Sequence, residues 1–157
     1  MIPKSGKINL GCGQVKLDGY INIDNNPDMK PDLLCNVIEG FPFFEDGIIE
    51  EVRAYDFLEH IPAGKSVIKV MEEIYRVLKP GGKFESSTPD AQYGQAAFQD
   101  PTHISFWVQN SWLYYSDRAY SSLYGIKAHF KIQLMERVPS LESNSQLYWN
   151  HVIAIKE

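Results

Sequence analysis

Cysteine is almost missing from this chain: Cys12 and Cys35 are the only two among 157 residues. They form no metal-type CxxC pair, and two cysteines do not make a disulfide framework, so both are expected to be reduced thiols. Long apolar runs are missing too. No stretch approaches the roughly 18 to 20 residues that a membrane-spanning helix needs, and Met1-Ile2-Pro3-Lys4-Ser5-Gly6 lacks the apolar core of a signal peptide. There is no surplus of positive charge either. Fifteen Lys and Arg against twenty Asp and Glu leave a net charge of −5. A weakly acidic chain without a Lys/Arg run is a poor counter-ion for phosphate backbones, so nucleic acid is not an expected partner. The expectation is one soluble domain over residues 1–157, with no membrane partner and a cytoplasmic location.

The sequence does have the makings of a core. Its 44% apolar and 22% charged residues are ordinary for a globular protein. Three short apolar runs come early and each stops at a glycine or small polar residue. Lys7-Ile8-Asn9-Leu10 ends at Gly11, Tyr20-Ile21-Asn22-Ile23 at Asp24, and Asp32-Leu33-Leu34-Cys35 at Asn36. A fourth, Glu51 to Tyr55, leads into Asp56. From Lys65 to Leu78 the apolar positions recur every three or four residues, which predicts a helix. Pro80-Gly81-Gly82 should stop it before a strand from Lys83 to Ser87. Strand, helix, turn and strand make a parallel crossover unit. Ala128–Glu136 and Gln146–Lys156 read as a terminal antiparallel pair around a loop with Pro139, Ser140, Ser143, Asn144 and Ser145. Only ten residues separate Gly13 from Asp24, so the first helix should be reduced to about a turn or missing.

In an open parallel sheet, ligands bind where strand carboxyl ends meet loops. Gly11-Cys12-Gly13 can pass close to a ligand. Asp24 can accept hydrogen bonds from a ribose diol, and Asn36 can meet an adenine edge. A nicotinamide-binding fold fits poorly, because Lys16 stands where a third glycine is needed and Asp24 follows the loop too soon.

These residues resemble the class I S-adenosylmethionine-dependent methyltransferases of the short, single-domain type. The matching pieces are Ile8-Asn9-Leu10-Gly11-Cys12-Gly13, Gly19-Tyr20-Ile21-Asn22-Ile23-Asp24, Phe57-Leu58-Glu59-His60-Ile61 and Arg76-Val77-Leu78-Lys79-Pro80-Gly81-Gly82. The likeness is close over residues 7 to 88 and looser beyond. It implies a Rossmann-like α/β three-layer sandwich, its mostly parallel sheet finished by an antiparallel strand pair. S-adenosylmethionine would be the cofactor and S-adenosylhomocysteine the product. The implied cofactor residues are Asn9, Gly11, Cys12, Gly13, Asp24, Asn25, Asn36, Val37, Tyr55, Asp56 and His60. The family often has acids where Asn9 and Asn36 stand, and these departures keep a non-catalytic S-adenosylmethionine-binding or scaffold protein as the alternative.

Residues 89–127 hold nine of the twenty aromatics and are expected to pack over the sheet or to form a lid that selects the substrate. Within them, Asp100-Pro101-Thr102-His103 offers a general base, His103, oriented by Asp100. The expected acceptor is a small molecule or sugar, methylated at oxygen. Metal is not expected, because the four histidines show no ligand spacing along the chain.

Overall fold

A computed structural model describes residues 6–140 and 147–157. The apolar runs become a seven-stranded sheet: β1 (Lys7–Leu10), β2 (Ile21–Asp24), β3 (Leu33–Leu34), β4 (Ile49–Tyr55), β5 (Leu78–Pro89), β6 (Phe130–Pro139) and β7 (Tyr148–Lys156). Their order across the sheet is β3-β2-β1-β4-β5-β7-β6. Pairing is parallel from β3 through β5 and antiparallel where β7 meets β5 and β6. The Rossmann-like sheet with a terminal antiparallel pair is therefore present. Pro139 extends β6 rather than starting the loop; Ser143, Asn144, Ser145 and Gln146 lie outside the described residues. Among the described residues, no helix is long and apolar enough to cross a membrane.

The predicted helix is α1 (Lys65–Val77), and its buried face is Val67, Val70, Met71, Ile74 and Val77. It ends before Pro80-Gly81-Gly82 is reached. Leu78 is already extended (φ −65°, ψ 137°), so helix and strand meet without a separate turn.

Strand side chains alternate between faces, and here the alternation sorts by chemistry. Ile8, Leu10, Ile21, Ile23, Val52, Ala54, Phe84, Val152 and Ala154 are almost wholly buried and share one core with α1. Trp107, Trp112, Tyr115 and Ile126 close that core from the segment between β5 and β6. Trp112 stacks obliquely on Phe84 at 5.8 Å between ring centroids, and Tyr75 of α1 meets Phe130 edge-on at 5.2 Å. Burying rings of this size supplies much of the folding free energy, about 25 cal/mol per Å² of apolar surface.

The opposite face is a lattice of charge. Lys83 bonds Glu51 at 3.0 Å and Glu85 at 2.9 Å. Glu51 also accepts from Tyr20 at 2.6 Å, and His151 lies 3.2 Å from both Glu85 and Glu136. Near β1 and β2 this face is covered by the loop of residues 11–19, which contains no helix; the expected shortening of the first helix is carried to its limit. Buried amides hold the loop in place. Asn9 Nδ2 donates to Val15 O (2.9 Å) and to Asn22 Oδ1 (3.0 Å), and Asn22 Oδ1 also accepts from Leu17 N (2.9 Å).

Candidate functional site

The carboxyl ends of β1, β2, β3 and β4 converge on a cavity of about 270 Å³. Its wall contains Gly11, Asp24, Asn25, Asn36, Val37, Asp56 and His60, together with Ile23, Cys35, Ile38, Phe57 and Ile61. Seven of the eleven residues implied by the motifs thus share one wall. The other four stand behind or beside it. Asn9 is only 6% exposed, and its amide hydrogens are spent on Val15 and Asn22. A carboxylate there could only accept, so this loop requires the amide. Cys12 is buried, with its thiol pushed up mainly by burial. Gly13 faces Asp24 instead, its N–H donating to Oδ2 at 2.9 Å. Tyr55 lines a neighbouring hollow of about 520 Å³ with Ser87, Glu136, Trp149 and His151, and Asp56 borders both spaces.

Local backbone explains the shape of the wall. Gly11 sits at φ +59°, and a Cβ there would come within 2.3 Å of the Phe57 ring. No other residue tolerates both conditions. Asp56 is also left-handed, at φ +47°. It is held there by N–H donation to Ser87 O (2.9 Å) and by the Trp149 indole N–H on its Oδ1 (2.6 Å). Strained non-glycine backbone of this kind concentrates at functional sites.

Each Asp24 oxygen accepts one bond, from Gly13 N and Asn26 N, both at 2.9 Å. One lone pair on each remains for a ligand. Asn36 is more committed. Its Oδ1 caps the following turn at Ile38 N (3.3 Å), while its Nδ2 donates to Glu39 (3.3 Å).

At the rim beyond Phe57, a short 3-10 turn carries Leu58, Glu59 and His60. The Glu59 carbonyl accepts from Ile104 N (2.8 Å) and Ser105 N (3.0 Å), and Ser105 Oγ donates to Leu58 O (2.8 Å). This latch draws His103 against His60, ring to ring at 4.9 Å. His103 Nδ1 lies 2.9 Å from Ala97 O. A carbonyl only accepts, so Nδ1 carries the proton and Nε2 keeps its lone pair. Asp100 approaches the other ring nitrogen. Its Oδ2 lies 3.8 Å from Nε2, and its Oδ1 accepts from Thr102 N and Oγ1. Glu59 is 2% exposed, and neither carboxylate oxygen has a hydrogen-bond partner. Burial pushes its carboxyl up to about 8; the Glu59 amide opposes this, and Asp56 and Asp100 reinforce it.

Of the nine aromatics in residues 89–127, Trp107, Trp112 and Tyr115 are core, while Tyr93, Phe98, Phe106, Tyr114, Tyr120 and Tyr124 are exposed. None lines the 270 Å³ cavity; the segment reaches its rim through the latch.

The methyltransferase domain family matches residues 9–85. That span covers the glycine turn, Asp24, Asn36 and the Leu58-Glu59-His60 turn. Over that span, about half of the chain, this is a methyltransferase domain. Three solved structures share its fold, one of them an S-adenosylmethionine-dependent methyltransferase. One, from Archaeoglobus fulgidus, is described as such an enzyme; it is 17% identical, with a TM-score of 0.68 over 96% of this chain and 85% of that one. Another comes from the complex between the Haloferax volcanii Trm112 methyltransferase activator and a methyltransferase, with 14% identity and a TM-score of 0.67 over 99% of this chain and 85% of that one. The third, the [4+2]-cyclase SpnF, is 16% identical, with a TM-score of 0.63 over 96% of this methyltransferase and 74% of SpnF. At these identities the likeness is one of fold. No curated protein matches the methyltransferase in sequence.

Proposed function

We propose that this methyltransferase binds S-adenosylmethionine in the 270 Å³ cavity and methylates an oxygen of a small molecule or sugar held at the His60 rim. The observation that carries the reading is the wall itself. It combines a turn at Gly11 that admits no side chain, a carboxylate at Asp24 with lone pairs to spare, and polar ends at Asn25, Asn36 and Asp56. These residues fit the cofactor: Asp24 would hold the ribose hydroxyls, Asn36 and Val37 the adenine side, and Gly11 and Asp56 the methionyl side. Bound there, the cofactor supplies a methyl group on a positively charged sulfur.

Methylating a hydroxyl forms an O–C bond, breaks an S–C bond and releases one proton. His103 is our assignment for its acceptor, because its tautomer leaves Nε2 open. Asp100, 3.8 Å from that nitrogen, would steady the imidazolium. The segment 89–127 would exclude water from the rim and set the acceptor's shape.

A second reading is a non-catalytic S-adenosylmethionine-binding or scaffold protein. The capped Asn36 favours it, since the side chain already spends its carbonyl and amide on its own turn. Calorimetric titration with S-adenosylmethionine and S-adenosylhomocysteine separates these ideas. Wild type should give saturable heat with both. Asp24→Ala should bind at least about tenfold more weakly, since hydrogen bonds to a charged group contribute about 1.5–3 kcal/mol each. No heat with either ligand removes both readings. Binding without transfer to a panel of hydroxylated small molecules and sugars selects the scaffold.

A further inference from the structure

Glu59, His60 and His103 each bring a ligand atom within 4.8 Å of the other two. Two segments about forty residues apart in sequence supply them, joined by the latch at the Glu59 carbonyl. What sets this cluster apart is its one-sided polarity. His60 Nδ1 lies 3.3 Å from Thr102 O and 3.2 Å from Thr102 Oγ1, whose own proton goes to Asp100. His60 Nδ1 must therefore donate, as His103 Nδ1 does to Ala97 O. Both rings are left with an Nε2 lone pair, and beside them stands a 98%-buried carboxylate with no partner on either oxygen. Among the described residues, no side chain donates into the cluster: both Nε2 atoms and both Glu59 oxygens are acceptors. Buried acceptors without a donor are strongly penalised, so a positively charged species belongs among them.

A proton on Glu59 can satisfy only one acceptor pair. A metal ion can satisfy all three groups at once. We infer that Glu59, His60 and His103 form a binding site for a divalent first-row transition-metal ion, open to the cavity on the His60 side.

Tetrahedral ligands at about 2.0–2.2 Å from an ion lie about 3.3–3.6 Å apart, so atoms that now lie within 4.8 Å of one another must close by up to about 1.5 Å, within reach of side-chain rotation. Two imidazoles and one carboxylate suit zinc, iron, cobalt or nickel better than magnesium or calcium. Each histidine also hands its other nitrogen's proton to a backbone carbonyl, which is how metal-binding histidines are oriented. Glu59 and His103 are enclosed by protein, whereas His60 is exposed and lines the cavity. The exchangeable coordination positions therefore face the cavity.

This deepens the function proposed above and rests on it for the role of the ion. The acceptor is then a hydroxyl compound that coordinates through the oxygen to be methylated, and the ion lowers that hydroxyl's pKa. The proton passes to Asp100, whose carboxylate reaches solvent. The oxygen gains the methyl as the S–C bond breaks. His103 is then a ligand, and the ion acidifies the acceptor in place of a base.

The test is titration of chelator-stripped protein with Co²⁺, followed by its visible absorption and by calorimetry. Wild type should saturate at one ion per chain. Glu59→Gln and His103→Asn should each weaken binding by at least about tenfold, the smallest loss seen even for outer-shell changes. Should either fail to fold, His60→Asn at the exposed position should show the same loss. No saturable Co²⁺ signal in wild type, or affinity unchanged in the variants, overturns the site. S-adenosylhomocysteine is titrated into the same metal-free sample. Heat there without Co²⁺ binding sinks the ion and leaves the cofactor reading standing. Co²⁺ binding without that heat does the reverse.

Discussion

The two faces of the sheet show one backbone stabilised in two ways. Towards α1, side chains from Ile8 to Ala154 meet helix and indole rings with almost no solvent access. On the other face the same strands present Glu51, Arg53, Tyr55, Lys83, Glu85 and His151. A Rossmann-like sheet usually covers both faces with helices and is apolar on both. Here the chain between β1 and β2 is too short to supply a helix, and alternation along β4 and β5 answers by making that face wettable. The cover and the pattern go together. The apolar face draws its stability from burial, the polar one from charge pairs and hydrogen bonds.

Trp112→Ala should break this comparison most severely. It opens a cavity against Phe84, Trp107 and Tyr115 and should cost about 3–5 kcal/mol in urea unfolding. A loss under about 1 kcal/mol would mean that the aromatic segment is not the true cover of the core.

Glu85→Gln probes the polar face and should cost less, about 1–3 kcal/mol at pH 7. Although burial works the other way, hydrogen bonds from Tyr55, Lys83 and His151 pull the Glu85 carboxyl down to about 2. Its folded pKa is thus below the unfolded value near 4.5. Its stabilisation should be complete above that unfolded value and vanish as the pH falls towards 2. Wild-type and variant unfolding curves should therefore converge at acid pH. Curves that stay apart would show that Glu85 acts by packing.

Lys7→Met should have the smallest effect, under about 1 kcal/mol, because Lys7 is 42% exposed and its contact with Glu51 is long, at 3.5 Å. Added salt should shrink the difference further. A larger, salt-insensitive loss would show that the polar face is organised as tightly as the core.

The strand ends were legible in the sequence because each apolar run stops at a residue with its own chemistry: Gly11, Asp24, Asn36 and Asp56 all reach the cavity wall. The helix was legible from its three- and four-residue spacing. Less was visible where contacts depend on the tertiary fold. Ile23, Phe57 and Ile61 line the cavity but look like any other apolar strand or loop residue. Asn9 stands at a motif position, yet its part is to hold the 11–19 loop, which only the amide network with Asn22 reveals. Leu58-Glu59-His60 and Asp100-Pro101-Thr102-His103 were both conspicuous, but as separate segments. Nothing in their spacing announces that two backbone bonds to the Glu59 carbonyl bring them together.

Those two bonds also set how the pocket is built into the rest of the molecule. Ile104 and Ser105 hang from the residue next to His60, and the Trp107 indole in turn donates to Ser105 Oγ at 3.2 Å. Cavity rim, histidine pair and indole are all anchored through the Glu59 backbone. The rim of the ligand pocket is thus tied to the hydrophobic interior by one continuous run of hydrogen bonds.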